Sequence, residues 1–97
     1  MSEQQFASVW DAIEDTPEGA ENMKLRSALM MALQSRQKGM SQAEAAKLFG
    51  VTQPRVSDLL SGRISLFDLD ALVNMATAAG LRIELRVHAA HDDLARP

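Results

Sequence analysis

Two side chains set two positions apart, Gln53 and Arg55, carry the most specific recognition chemistry in this sequence. A glutamine amide presents a donor beside an acceptor, and a guanidinium presents parallel donors, so each can grip a flat polar edge through two hydrogen bonds at once. Purine edges in the major groove of a duplex offer the matching pairs: N6 and N7 of adenine for the amide, O6 and N7 of guanine for the guanidinium. Pro54, Ser57 and Asp58 complete the stretch. They supply an apolar surface suited to a thymine methyl, a hydroxyl, and a carboxylate that can accept from a cytosine amino group or orient Arg55. Pro54 is also accounted for by helix initiation, and Arg55 by a contact to phosphate.

A second group suits the duplex backbone. Ser41 and Gln42 open one element and Thr52 opens the next, where backbone N–H groups and short polar side chains can hold a phosphate oxygen. Lys47 and Arg63 add charge, although helix capping alone would explain Ser41 and Thr52. The formal net charge of −3 looks unsuited to a polyanion until the charges are placed. Residues 1–23 hold six acids and no base, and residues 64–97 hold five acids against three arginines. Residues 24–63 reverse this with seven bases against two acids, and it is local charge at the contact surface that governs affinity for phosphate.

The elements that must position these residues can be read from punctuation and periodicity. Phe6, Val9, Trp10 and Ile13 fall at helical spacing within residues 1–15, a segment expected to be a short helix or extended. Thr16-Pro17-Glu18 reads as a cap, a first-turn proline and an early acid, so a long helix is expected to run from there to about Lys38 and to end at Gly39. Leu25, Ala28, Leu29, Ala32 and Leu33 would form its inner face, with Arg26 and Arg36 in solvent. Ser41-Gln42-Ala43-Glu44 fits a capping box and starts a helix that Gly50 closes at Phe49. Thr52 caps the next helix, Pro54 lies in its first turn, and Gly62 ends it. Ser65-Leu66-Phe67-Asp68 resembles another capping box, followed by Leu69, Leu72, Val73, Ala76 and Ala79 as a buried stripe ending at Gly80. Most methionines, including Met23, Met30, Met31 and Met75, are expected to fill the core.

Two short helices joined by a glycine turn define a helix-turn-helix, whose second helix enters the major groove. Ala46 supplies the small side chain where the helices approach, Gly50 the turn, and Val51, Val56 and Leu59 the apolar inner face. The segment SQAEAAKLFGVTQPRVSDLLSGR resembles the helix-turn-helix of the phage-repressor-like superfamily, the Cro/C1 or XRE type. The flanking EGAENMKLRSALMMAL and RISLFDLDALVNMATAAGLRIELRV are similar to HigA-like antitoxins and related short regulators. The resemblance implies an all-α domain of about five helices at residues 16–80 and a dimeric repressor of its own promoter. It also implies that the chain neutralises a RelE/HigB-like RNase toxin.

After Gly80, Leu81, Ile83, Leu85 and Val87 alternate with Arg82, Glu84 and Arg86, the pattern of a half-buried strand over residues 81–88. Its open partners are the same strand of another copy, which would make a homodimer on a palindromic operator, the N-terminal stretch, or the helices beneath it. Residues 89–97 read as a mobile tail. Catalysis has little to work with, since there is no cysteine and no phosphate-cradling glycine loop. His88, His91, Asp92 and Asp93 resemble a metal cluster only superficially, because a polar tail provides no rigid second shell. The expectation is a non-enzymatic, cytoplasmic DNA-binding protein with no cofactor, no metal and no membrane segment. A module that binds only protein, through the N-terminal apolar stripe and the acidic flanks, is the rival reading.

Overall fold

The computed structural model describes residues 16–89. These contain α1 (Pro17–Gln37), α2 (Gln42–Phe49), α3 (Gln53–Leu60), a 3₁₀ turn (Ile64–Leu66) and α4 (Leu69–Ala78). The N-terminal apolar stripe and the histidine–aspartate tail beyond residue 89 lie outside the described residues. The domain is all-helical, in agreement with the motif reading.

Local chemistry sets the helix starts. The Thr16 hydroxyl accepts from the Gly19 N–H at 2.9 Å, with Pro17 in the first turn, where its missing N–H has no intrahelical partner to lose. Ser41 and Glu44 close a reciprocal capping box: the serine N–H donates to Glu44 Oε1 at 2.9 Å, and the Glu44 N–H donates to Ser41 Oγ at 3.1 Å. Gly50 then takes φ 71° and ψ 33°, the left-handed conformation, and donates to Lys47 O while Val51 donates to Ala46 O. This reversal aims α3 away from α2 within three residues.

Burial assembles the pieces. Leu33, Phe49, Val56, Leu59, Phe67 and Leu72 are the large side chains most completely removed from solvent, one or more from each helix and one from the connection before α4. Ala45 and Ala46 are buried on α2, and their small size lets α3 approach closely. α1 packs along α4, and α2 packs on both α3 and α4. The two eight-residue helices are therefore clamped by the two longer ones.

Several expectations are corrected here. Arg26 is buried, whereas Ala28 and Ala32 are exposed and Leu25 keeps 38% of its surface in solvent; the inner line of α1 is Arg26, Met30 and Leu33. A guanidinium on a long apolar stem can line a core when its head finds a carbonyl, and Arg26 donates from Nη1 to Phe67 O at 3.4 Å. Ser65 does not cap α4. Phe67 enters the core from extended backbone (φ −127°, ψ 116°), which delays the helix, and Asp68 caps instead by accepting from the Ala71 N–H at 2.8 Å. Met75 is buried as expected, but Val73 is exposed, Leu69 is only partly covered, and Met31 faces solvent. Residues 81–89 form no strand in the single chain. Leu81 packs on the core, its N–H donating to Ala76 O, while Ile83, Leu85 and Val87 are progressively more exposed, reaching 83% at Val87.

A Cβ placed on Gly50 would meet nothing within 4 Å, so only the backbone conformation constrains this position. Gly50→Ala is expected to lower the unfolding free energy by roughly 1–2 kcal/mol, and Gly50→Asn by less, because asparagine tolerates the left-handed region. Urea denaturation of the three proteins checks this. Equal midpoints for alanine and glycine would contradict the turn geometry.

Candidate nucleic-acid interface

The candidate base-reading residues of the sequence lie on α3, and the structure sorts them by exposure. Gln53, Pro54 and Ser57 are exposed on the side opposite the buried Val56 and Leu59. Thr52 caps the helix, its Oγ1 accepting from the Arg55 N–H at 3.4 Å. The amide of Gln53 and the hydroxyl of Ser57 lie four positions apart on one outer edge, a spacing that aligns side chains along a helix.

Arg55 and Asp58 are engaged differently. The Arg55 guanidinium donates from Nη1 to Leu66 O at 2.8 Å and lies over the Phe67 ring with Cζ 3.9 Å from its centroid. It is half-buried as a result. To reach a guanine edge it would have to release both partners. Asp58 faces Arg63 at 3.9 Å, where the Arg63 N–H also donates to Asp58 O at 3.1 Å, so Arg63 rather than Arg55 is its neighbour.

The candidate phosphate contacts are all at the surface. Ser41 and Gln42 are exposed at the N-terminus of α2, Thr52 at the start of α3, Lys47 in the last turn of α2 and Arg63 just beyond α3. The basic balance of the central segment is partly spent within the fold, since Arg26 is internal, Arg55 is held against Phe67, and Lys24 pairs with Glu21 at 3.5 Å. Arg36, Lys38 and Lys47 are exposed cations along this segment. No group of three metal-ligating side chains occurs among the described residues, and none of their helices is long and apolar enough to cross a membrane.

A family model described as a helix-turn-helix domain matches residues 12–88, most of the chain. The chain belongs to this helix-turn-helix family. No curated protein matches it. The family match agrees with the Cro/C1-type resemblance at the level of the DNA-binding motif. In such a motif the second of two short helices joined by a tight turn is the recognition helix, the position that α3 takes after α2 and the Gly50 turn.

Three residues that hold the recognition helix escaped the sequence reading. Gln34 reaches from α1 and donates from Nε2 to Leu59 O at 2.8 Å, which satisfies a carbonyl in the last turn of α3. Arg26 and Phe67 make the junction at the other end of the connection. Nothing in the local pattern marks Gln34, because its partner lies 25 residues away. Arg26 was hidden by its charge, and Phe67 by the capping-box-like serine beside it. Replacing Gln34 by alanine should cost about 1 kcal/mol, the usual contribution of such a hydrogen bond. An unchanged urea midpoint would show that the amide does not support α3.

Proposed function

We propose that this helix-turn-helix protein is a sequence-specific transcriptional repressor that acts as a homodimer on a palindromic operator, including that of its own promoter. The observation that carries the reading is the exposed edge of α3, where Gln53, Pro54 and Ser57 stand clear of the core on a helix clamped from behind. Gln53 pairs with an adenine edge, Pro54 lies against a thymine methyl, and Ser57 adds a hydroxyl that either base edge accepts. Asp58 accepts from a cytosine where Arg63 yields it, and Arg55 reaches guanine only by leaving Leu66 and Phe67. Ser41, Gln42, Lys47, Thr52 and Arg63 hold the phosphates on either side. This is binding chemistry without catalysis or cofactor.

The arm after Gly80 supports the dimer. Ile83, Leu85 and Val87 expose apolar side chains alternating with Arg82, Glu84 and Arg86, and an extended segment of this kind gains a full set of backbone hydrogen bonds by pairing with the arm of a second copy. Two-fold pairing of the arms would set two recognition helices on successive turns of one duplex face.

Selection of bound duplexes from a randomised library is expected to recover a motif of two inverted half-sites, centred roughly 10 base pairs apart or a multiple of that. Gln53→Ala should lose preference at one position per half-site, whereas Lys47→Ala should weaken all duplexes alike and reduce the salt slope by about one per protomer. An asymmetric single site would contradict the dimer, and failure to enrich any motif would contradict sequence-specific binding.

The reading extends to a HigA-like antitoxin, supported by the resemblance of the segments flanking the motif. Co-expression with the product of the adjacent gene tests it. Growth arrest by that product, relieved by this chain with formation of a stable complex, is expected. Arrest that the chain does not relieve, or no arrest at all, would leave a stand-alone regulator of the same fold.

A further inference from the structure

Of the candidate reading residues, Arg55 is the one whose polar head is tied to a backbone carbonyl and an aromatic ring of its own protein. Its Nη1 donates to Leu66 O at 2.8 Å, and its guanidinium covers the face of Phe67, a ring with no exposed surface. The next carbonyl along, that of Phe67, accepts from Arg26 of α1 at 3.4 Å. Two successive carbonyls thus each take a guanidinium, one from α3 and one from α1. Neither carbonyl belongs to the α4 ladder, which begins when Asp68 O accepts from Leu72 N–H. The Phe67 carbonyl is buried and depends on Arg26 for its donor, whereas the Leu66 carbonyl is at the surface, where what Arg55 adds is a fixed tether between the connection and α3.

The consequence is a closed circuit. The connection that leaves the end of α3 at Leu60 passes through the 3₁₀ turn and returns at Leu66–Phe67 to be tied to the first turn of the same helix, eleven residues back. Both ends of α3 are held as well: Gln34 donates to Leu59 O at one, and Arg55 fastens the other. A helix of eight residues fastened at both ends presents its outer edge in one orientation.

We propose that Arg55 is a positioning residue: by bridging the Leu66 carbonyl and the Phe67 ring it fixes the angle of the recognition helix, and Gln53 and Ser57 do the reading. This deepens the DNA-binding reading above and rests on it. Lysine cannot substitute, because a compact ammonium cannot stack flat on the ring while donating in its own plane. Phe67, wholly buried, has no access to DNA, and yet its loss should reproduce the loss of Arg55.

The test measures thermal stability and base preference together for the full chain and its Arg55→Lys, Arg55→Ala, Phe67→Leu and Arg55→Ala/Phe67→Leu variants. The DNA probes are the duplex selected by the wild-type protein and all its single-base variants, titrated well below the lowest Tm. Arg55→Lys and Arg55→Ala should each lower Tm by roughly 5–10 °C and weaken every duplex about tenfold, with the order of preference among bases unchanged. Phe67→Leu should do the same, and the double variant should lose less than the two single losses combined. Preference lost at one base pair, with Tm unmoved and Phe67→Leu additive, would overturn the positioning role and make Arg55 a guanine reader. A wild-type chain that selects no duplex would overturn the DNA reading itself, a distinguishable failure.

Discussion

An eight-residue helix does not hold itself together in water, because the cost of nucleating its first turn outweighs the few hydrogen bonds that follow. Both helices of the motif, α2 and α3, are of this length, so their existence depends on the burial of one face each. For α3 that face is Val56 and Leu59, both without exposed surface. For α2 it is Ala45, Ala46 and Phe49. Capping by Ser41, Glu44 and Thr52 contributes about 1 kcal/mol apiece, which sharpens the boundaries without replacing the core. The outer edge of α3 is free to be polar because the inner edge carries its stability.

This dependence explains how positive charge is distributed. A DNA-facing surface needs cations in solvent, yet Arg26 is buried against a backbone carbonyl and Arg55 is half-buried over an aromatic ring. These two arginines are engaged within the fold, and Arg36, Lys38, Lys47 and Arg63 are the cations of this segment that stand exposed beside them. A small domain with a modest core uses such polar struts where apolar contacts run short. The same economy appears at Gln34, whose amide completes the C-terminal turn of α3.

The sequence was most legible where chemistry is local. Thr16, Ser41 and Thr52 cap the helices they were expected to cap, and Gly50 takes the left-handed turn, because each involves partners within a few residues. It was least legible where rotation about a helix axis or a distant partner decides. Leu25, Ala28 and Ala32 form as regular an apolar line on α1 as Met30 and Leu33 do, and which line turns inward is decided by distant partners: the packing of α1 along α4 and the Phe67 carbonyl, 41 residues from Arg26. The choice between Ser65 and Asp68 as a cap was settled by where Phe67 had to go. The arm from Leu81 to Val87 carries a strand pattern but forms no ladder, since a ladder requires a second strand. For the candidate DNA contacts, the helix expected from the sequence is present as α3, and the structure separates the exposed Gln53, Pro54 and Ser57 from the internally engaged Arg55 and Asp58.

The measurement that addresses the central claim most directly is an NMR titration of the isotope-labelled full chain with duplex from upstream of its own gene, at near-physiological salt. The account predicts that the largest shifts fall on Gln53, Ser57 and the first turn of α2, including the Gln53 side-chain amide, with the Ile83–Val87 arm little changed. Shifts concentrated on that arm or on the exposed face of α1, with α3 silent, would contradict it.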